Sequence, residues 1–129
     1  MRRISIFAIA LALCAAGLFA QDDLAQYQEH MKAAAAANMA LRKGVTEKDS
    51  AAVTANSATL VTNFDWMADF FQKKGKDDGV KFAKAASAAA KAVGAATSME
   101  DQTAALGKLG PNCSGCHMLY RAGQAFKGM

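Results

Sequence analysis

Between Gln21 and Leu109 apolar residues return every three or four positions, no proline interrupts them, and no run alternates apolar with polar residues. That spacing is the helical period, whereas half-buried strands need a period of two with β-branched enrichment. The fold class that follows is all-α. Pro111, the sole proline, lacks an amide donor and disfavours helix in the residue before it, so it either kinks one long helix or begins a short fifth.

Four helical segments can be drawn. The first follows Asp22 and Asp23, carries Leu24, Tyr27, Met31, Ala34, Ala35, Asn38 and Leu41, and closes with Arg42, Lys43 and Gly44, basic side chains before a glycine able to turn left-handed. Thr46 and Asp49 resemble a capping box ahead of the second, whose stripe is Val53, Ser57, Leu60, Phe64, Met67 and Phe71. Asp77 and Asp78 open the third, with Val80, Phe82, Ala83, Ala86, Ala90 and Val93 inside, fading near Gly94. The fourth starts at Ser98 and Asp101 and points Met99, Thr103, Leu106 and Leu109 inward. Helices of this length on short connections predict an up-down antiparallel four-helix bundle. Its core would be thin, because 33–37 and 86–92 are almost all alanine, and a bulky apolar group placed inside would add burial at about 25 cal/mol per Å².

The first twenty residues have a separate logic. Arg2 and Arg3, an apolar run from Ile4 and small residues toward Ala20 form an export signal, too short to span a bilayer comfortably, which leaves a mature domain over 21–129 in the periplasm. Cys14 belongs to that signal, since bulky Leu13 before it fits poorly with lipidation. Without Arg2 and Arg3, 13 basic residues face 11 acidic ones, too little excess to argue for nucleic acid. Neither stable membrane insertion nor a nucleic-acid partner is expected.

Two mature cysteines remain, in "NCSGCHMLYR" at 112–121. In an oxidising compartment the default is a structural disulfide, but a bridge over two residues closes too small a loop to stabilise much. A zinc site would need two more ligands, and His30 is the one other histidine; a thioredoxin-like pair would need a strand before the helix. Cys113, Cys116 and His117 instead match the Cys-x-x-Cys-His signature of covalent haem attachment, with two thioethers to the macrocycle and the histidine as proximal axial ligand of the iron. Gly115 leaves room for the backbone beside it. The motif also makes the formal glycosylation acceptor at Asn112 implausible.

An export signal, an alanine-rich four-helix pattern and a haem motif on the last helix together resemble the class II c-type cytochromes, the cytochrome c-prime family and its low-spin relatives. The resemblance covers the mature chain. It implies one covalent haem c on the C-terminal helix and a first helix whose residues cover the other haem face. The segment Tyr27, Gln28, Glu29, His30, Met31, Lys32 matches that place, with Met31 opposite His117 as sixth ligand. Arg121, four residues after His117, matches a basic position of the family. Tyr27 stands where the family often has an arginine; it can hydrogen-bond a haem propionate but cannot neutralise it, which leaves Arg121 and nearby lysines for that charge. The chain between the first helix and the motif is also compact for the family.

The sixth position separates two functions. Sulfur ligation by Met31 gives a low-spin one-electron carrier with transient redox-protein partners; an unligated iron gives a cytochrome that binds nitric oxide or carbon monoxide. Met39, two turns on, is the main competitor for Met31, and His30 is a third choice whose simplest role is an exposed histidine. Adjacent helical residues point about 100° apart, so His30 and Met31 cannot share a face. No bond-making enzyme chemistry is expected: only His30 with Glu29 offers a distal acid-base pair. Trp66, Phe64, Phe70 and Phe71 are expected in the core or against haem, with a homodimer contact as the remaining use. The segment at 72–78 is expected to be a solvated turn whose lysines could dock an acidic redox partner.

Overall fold

The structure, a computed structural model, describes the backbone of residues 5–122 and 125–126 and the side chains of 23–121. Four helices make it: α1 (Ser5–Glu47), α2 (Ser50–Lys73), α3 (Asp77–Ala95) and α4 (Met99–Tyr120), followed by a two-residue antiparallel pairing of β1 (Arg121–Ala122) with β2 (Ala125–Phe126). The export signal assigned to 1–20, with Cys14, lies outside the residues whose side chains are described; from Ser5 its backbone continues α1. No helix among the described residues is long and apolar enough to cross a membrane.

Side-chain pairs fix the direction of each neighbour. Gly44 of α1 lies against Ala52 and Val53 of α2, His30 against Asn63, and Tyr27 against Phe70, so the numbers fall along one helix as they rise along the other. Between α2 and α3 the pairs are Phe71 with Gly79, Asp65 with Ser87 and Ser57 with Ala90. Between α3 and α4 they are Phe82 with Gly115 and the carbonyl of Ala96 with Gln102. Each neighbour is antiparallel, and the order is up-down-up-down. The seams α1/α2, α2/α3 and α3/α4 are closely packed, whereas α1 and α4 meet sparsely.

Helix ends depart from the sequence expectation in two places. Gly44 does not end α1; it is buried inside the helix, where α2 comes within 3.2 Å of any Cβ it carried. The left-handed residue is Lys48, at φ 59°, with the Asp49 amide donating to the Gly44 carbonyl and the Lys48 amide to Val45. Thr46 is likewise helical, its hydroxyl donating to the Arg42 carbonyl, and Asp49 alone caps α2 by accepting from the Ala52 amide at 3.0 Å. Of the two outcomes expected at Pro111, one long helix is the one found and no fifth helix starts there: Gly107, whose carbonyl loses its donor, and Pro111 itself are both exposed, so water can take that carbonyl. Gly75, at φ 66°, closes α2 as expected of a glycine, with the Lys76 amide bonded to the Phe71 carbonyl and the Gly75 amide to Gln72.

The core has two textures. Toward the α1/α2 turn it is made of Leu41, Val45, Val53, Leu60, Val93 and alanines of α3. At the opposite end rings from three helices meet on Phe71, which is fully buried: Tyr27 at 5.5 Å, Phe70 at 5.6 Å and Tyr120 at 4.9 Å between centroids. Gly79 is obligatory there, because a Cβ at that point would enter the Phe71 ring. The buried polar side chains are all bonded, Ser57 to the Ala90 carbonyl, Ser87 to Asp65, and Asn63 to His30 and the Thr59 carbonyl.

Phe71→Ala is expected to cost about 3–5 kcal/mol, because it leaves the meeting point of three helices empty. Lys48→Gly removes the strain of a side chain in left-handed backbone at some cost in chain entropy, and should stabilise by about 0.5–1 kcal/mol. Urea denaturation of the two variants beside the parent chain measures both.

Candidate functional site

The sparse α1/α4 seam is a cleft with two lobes. The outer lobe, about 350 Å³, lies wholly between those two helices: Tyr27, Gln28, Met31 and Lys32 on one wall, Cys116, His117, Tyr120 and Arg121 on the other. The inner lobe, about 140 Å³, reaches among all four helices, with Phe64, Met67 and Phe71 from α2 and Phe82, Ala83 and Ala86 from α3. Both lobes share Tyr27, Met31, Cys116 and His117. The outer lobe alone is within the range of ligand pockets, about 300–1,000 Å³.

Periodicity on α4 puts the motif on this wall. Cys113, Cys116 and Tyr120 lie three and four residues apart on the inward side, and His117 follows one position round the helix. Cys113 and Cys116 are half-buried, pack against the core and are not joined by a disulfide. They and His117 do not converge as a metal-holding cluster; among the described residues no such group of three His, Cys, Asp or Glu exists. Gly115 also has a packing role that the sequence did not show. A Cβ there would enter the Phe82 ring of α3, so the glycine lets α3 and α4 close together and fixes the rotation at which the cysteines face the cleft.

Electrostatics keeps these groups neutral. Burial pushes the Cys116 thiol up to about 11, helped by nearby Cys113 and partly offset by its hydrogen bond with the Tyr27 side chain. Burial also raises Cys113, with the Arg42 guanidinium pulling the other way. Both are thiols at neutral pH, and slow thiolate chemistry protects them from oxidation and exchange. Desolvation and then the Arg121 charge lower His117, which is neutral at pH 7 with a ring nitrogen lone pair available to a metal.

The opposite wall separates the candidates on α1. Met31 is half-buried and lines both lobes. Met39 is 73% exposed and lines neither. His30 is not the exposed histidine expected: its Nδ1 is 2.7 Å from Asn63 Oδ1 and its ring stacks 4.0 Å from Trp66, on the α1/α2 side. Tyr27 is 1% exposed, and its hydroxyl, raised by burial and by Cys116, is engaged inside the cleft rather than waiting at its mouth. Gln28, Lys32 and Arg121 form the exposed rim, with Lys32 paired to Glu29 at 2.7 Å.

Several lining residues escaped the sequence reading as site residues, Tyr120 and Phe82 among them. Tyr120, four positions after Cys116, shares the motif's face and could have been found from that spacing. Phe82 was visible as an apolar position of the third helix, but its contact with Gly115 needs the packed pair. The lysines of 72–78 lie at the α2/α3 turn and line neither lobe; Lys74 bonds Asp23 at 3.4 Å.

Gly115→Ala should destabilise by about 1–3 kcal/mol through overlap with Phe82. In the Phe82→Ala background the same change should cost much less, and a double-mutant cycle by denaturation reads the difference. At pH 7 iodoacetamide should alkylate Cys116 in the folded chain more slowly than the same residue in urea, with the gap closing as pH rises toward 11. No protein-family model, curated protein or solved structure matched the chain.

Proposed function

We propose that the protein is an exported, periplasmic c-type cytochrome that carries one electron at a time. In this reading one haem c is held by thioethers to Cys113 and Cys116, with His117 as proximal ligand and Met31 as sixth ligand. The observation that carries it is the placement of the motif: Cys113, Cys116 and His117 border the cleft that the bundle leaves between α1 and α4, with Met31 on the facing wall. The residues fit the group. The thiols are unpaired, the histidine is neutral, the inner lobe is walled by apolar side chains, and the rim carries Arg121 and Lys32 where carboxylates would lie.

When bound, haem supplies a one-electron Fe(III)/Fe(II) couple, and the protein tunes it through axial ligation and burial. The chain's part is to orient and to shield. α4 presents both sulfurs and the His117 ring from one rigid helix; Phe82 against Gly115 holds its rotation; Phe64, Met67 and Phe71 exclude water from the inner lobe. Arg121 at the end of α4 holds the carbonyl of His117 through its own amide, which ties the motif's last turn.

The test is the optical spectrum of the mature protein made in a host with haem-attachment machinery. Colour that stays with the chain after denaturation and acid-acetone extraction supports the reading, and its loss is expected in the Cys113→Ala, Cys116→Ala double variant. A colourless parent chain from that host would overturn it. Met31→Ala should turn a low-spin, carbon-monoxide-indifferent spectrum into a high-spin one that carbon monoxide shifts at once. A parent protein that already binds carbon monoxide when reduced would make the gas-binding cytochrome the function instead.

A further inference from the structure

Met31 lies on the cleft side of α1, where α1 and α4 meet sparsely, so little on the α4 side holds the rotation of α1. A ligand role requires that rotation to be held closely. A side-chain tip stands about 5–6 Å from the helix axis, so a turn of about 20° carries it about 2 Å, whereas metal–ligand distances tolerate about 0.2 Å. The hold comes from the other side. His30 is one position before Met31 and about 100° round the helix, on the side of α2. Its Nδ1 is 2.7 Å from Asn63 Oδ1, and its ring lies against the Trp66 indole, 18° between planes and 4.0 Å between centroids. The Asn63 amide nitrogen donates to the Thr59 carbonyl at 2.7 Å, which leaves the oxygen to face His30 and makes His30 Nδ1 the donor. Phe70 backs Trp66 in turn, stacked at 5.6 Å.

We infer that His30, bonded to Asn63 and stacked on Trp66, is the positioning residue that fixes the rotation of α1 and so aims Met31 into the cleft. This rests on the proposed role of Met31 as sixth ligand. Two constraints at right angles meet on one ring: the hydrogen bond holds it within its plane, and Trp66 holds its face. The same turn of about 20° would draw the donor about 2 Å from Asn63, well past the range of a good hydrogen bond. Other positions of α1 on that side cannot do this. Ala37 and Gly44 follow His30 along the same stripe and carry no side chain able to bond across the seam. Asn63 is informative in itself. It is 7% exposed in a seam that an apolar side chain would fill at less cost, and polar groups kept in such seams are best attested as setters of register. Tyr27, one turn before Met31 and bonded to Cys116 across the cleft, is the rival hold.

The experiment takes the constraints apart and leaves Tyr27 in place. His30→Phe keeps a ring on Trp66 without the donor, His30→Asn keeps a donor near the Nδ1 position without the ring, and His30→Ala keeps neither. The first readout needs no haem. In the apoprotein labelled at its methionine methyls, nuclear Overhauser cross-peaks should join the Met31 methyl to the ring protons of Phe64, Phe71 and Phe82 in the inner lobe. They should be lost in His30→Ala and weakened in the two partial variants, with helical circular dichroism retained. Unchanged cross-peaks in all three would overturn the assignment and leave the hold to Tyr27. Asp49→Ala removes the cap of α2 about 21 Å along that helix from Asn63 and should leave the cross-peaks as in the parent. Equal losses there would mean general loosening, and would overturn the assignment too. The second readout is the holoprotein, in which the fraction of reduced haem that binds carbon monoxide should rise about fivefold from the parent to His30→Ala, with the partial variants between. A low-spin parent whose His30→Ala variant stays equally indifferent to carbon monoxide would overturn the positioning role. A parent that binds carbon monoxide freely would overturn the ligand role of Met31 instead, while the methyl map still decides what holds α1.

Discussion

Phe71 is the contact on which the rest of the arrangement depends. Its ring is seated against the backbone of Gly79, which locks α2 to α3, and its other edges meet Tyr27 of α1 and Tyr120 of α4. One side chain therefore couples four helices at a single end of the bundle. Because Tyr27 and Tyr120 both lean on it, α1 and α4 are held at a fixed separation there rather than drawn together, and the cleft begins just above them. Aromatic rings can act this way because each buries a large rigid area with few rotatable bonds.

Away from that end, the bundle is economical. Glycines let α1 approach α2 at Gly44, seat Ser57 of α2 on Gly94 of α3 and seat Phe82 of α3 on Gly115 of α4, so each of the three seams closes on bare backbone from one side. Close approach gains contact but little apolar area, and such a core has modest reserves. The fourth seam is left to the motif. A thin core and an open seam suit a protein completed by a prosthetic group, whose buried surface would add what the side chains lack.

The neutral state of the motif links packing to chemistry. Burial raises both thiols and lowers the histidine, which are the directions that keep a dithiol unreactive and an imidazole neutral with its lone pair free. The Tyr27 hydrogen bond to Cys116 joins the aromatic end to the site, so the residue that helps hold α1 in place also holds one of the reactive groups. Stability and site geometry are not separable at this position.

Much of this was legible in the sequence. The three- and four-residue spacing determined four helices, because a 3.6-residue period puts those positions on one face whatever they pack against. The spacing of Cys113, Cys116 and His117 marked them as candidates, and the structure places all three beside the cleft. Local signals failed where packing overruled them. Gly44 looked like a helix end and is a close approach to α2, and Thr46 looked like part of a capping box but lies inside α1. Only the tertiary structure decided that Met31 faces the cleft while Met39 faces solvent, that His30 turns to Asn63 and Trp66, and that Gly115 seats Phe82. The physical reason is that a helical period fixes relative angles within one helix, whereas the rotation of that helix against its neighbours is set by contacts between residues thirty to ninety positions apart.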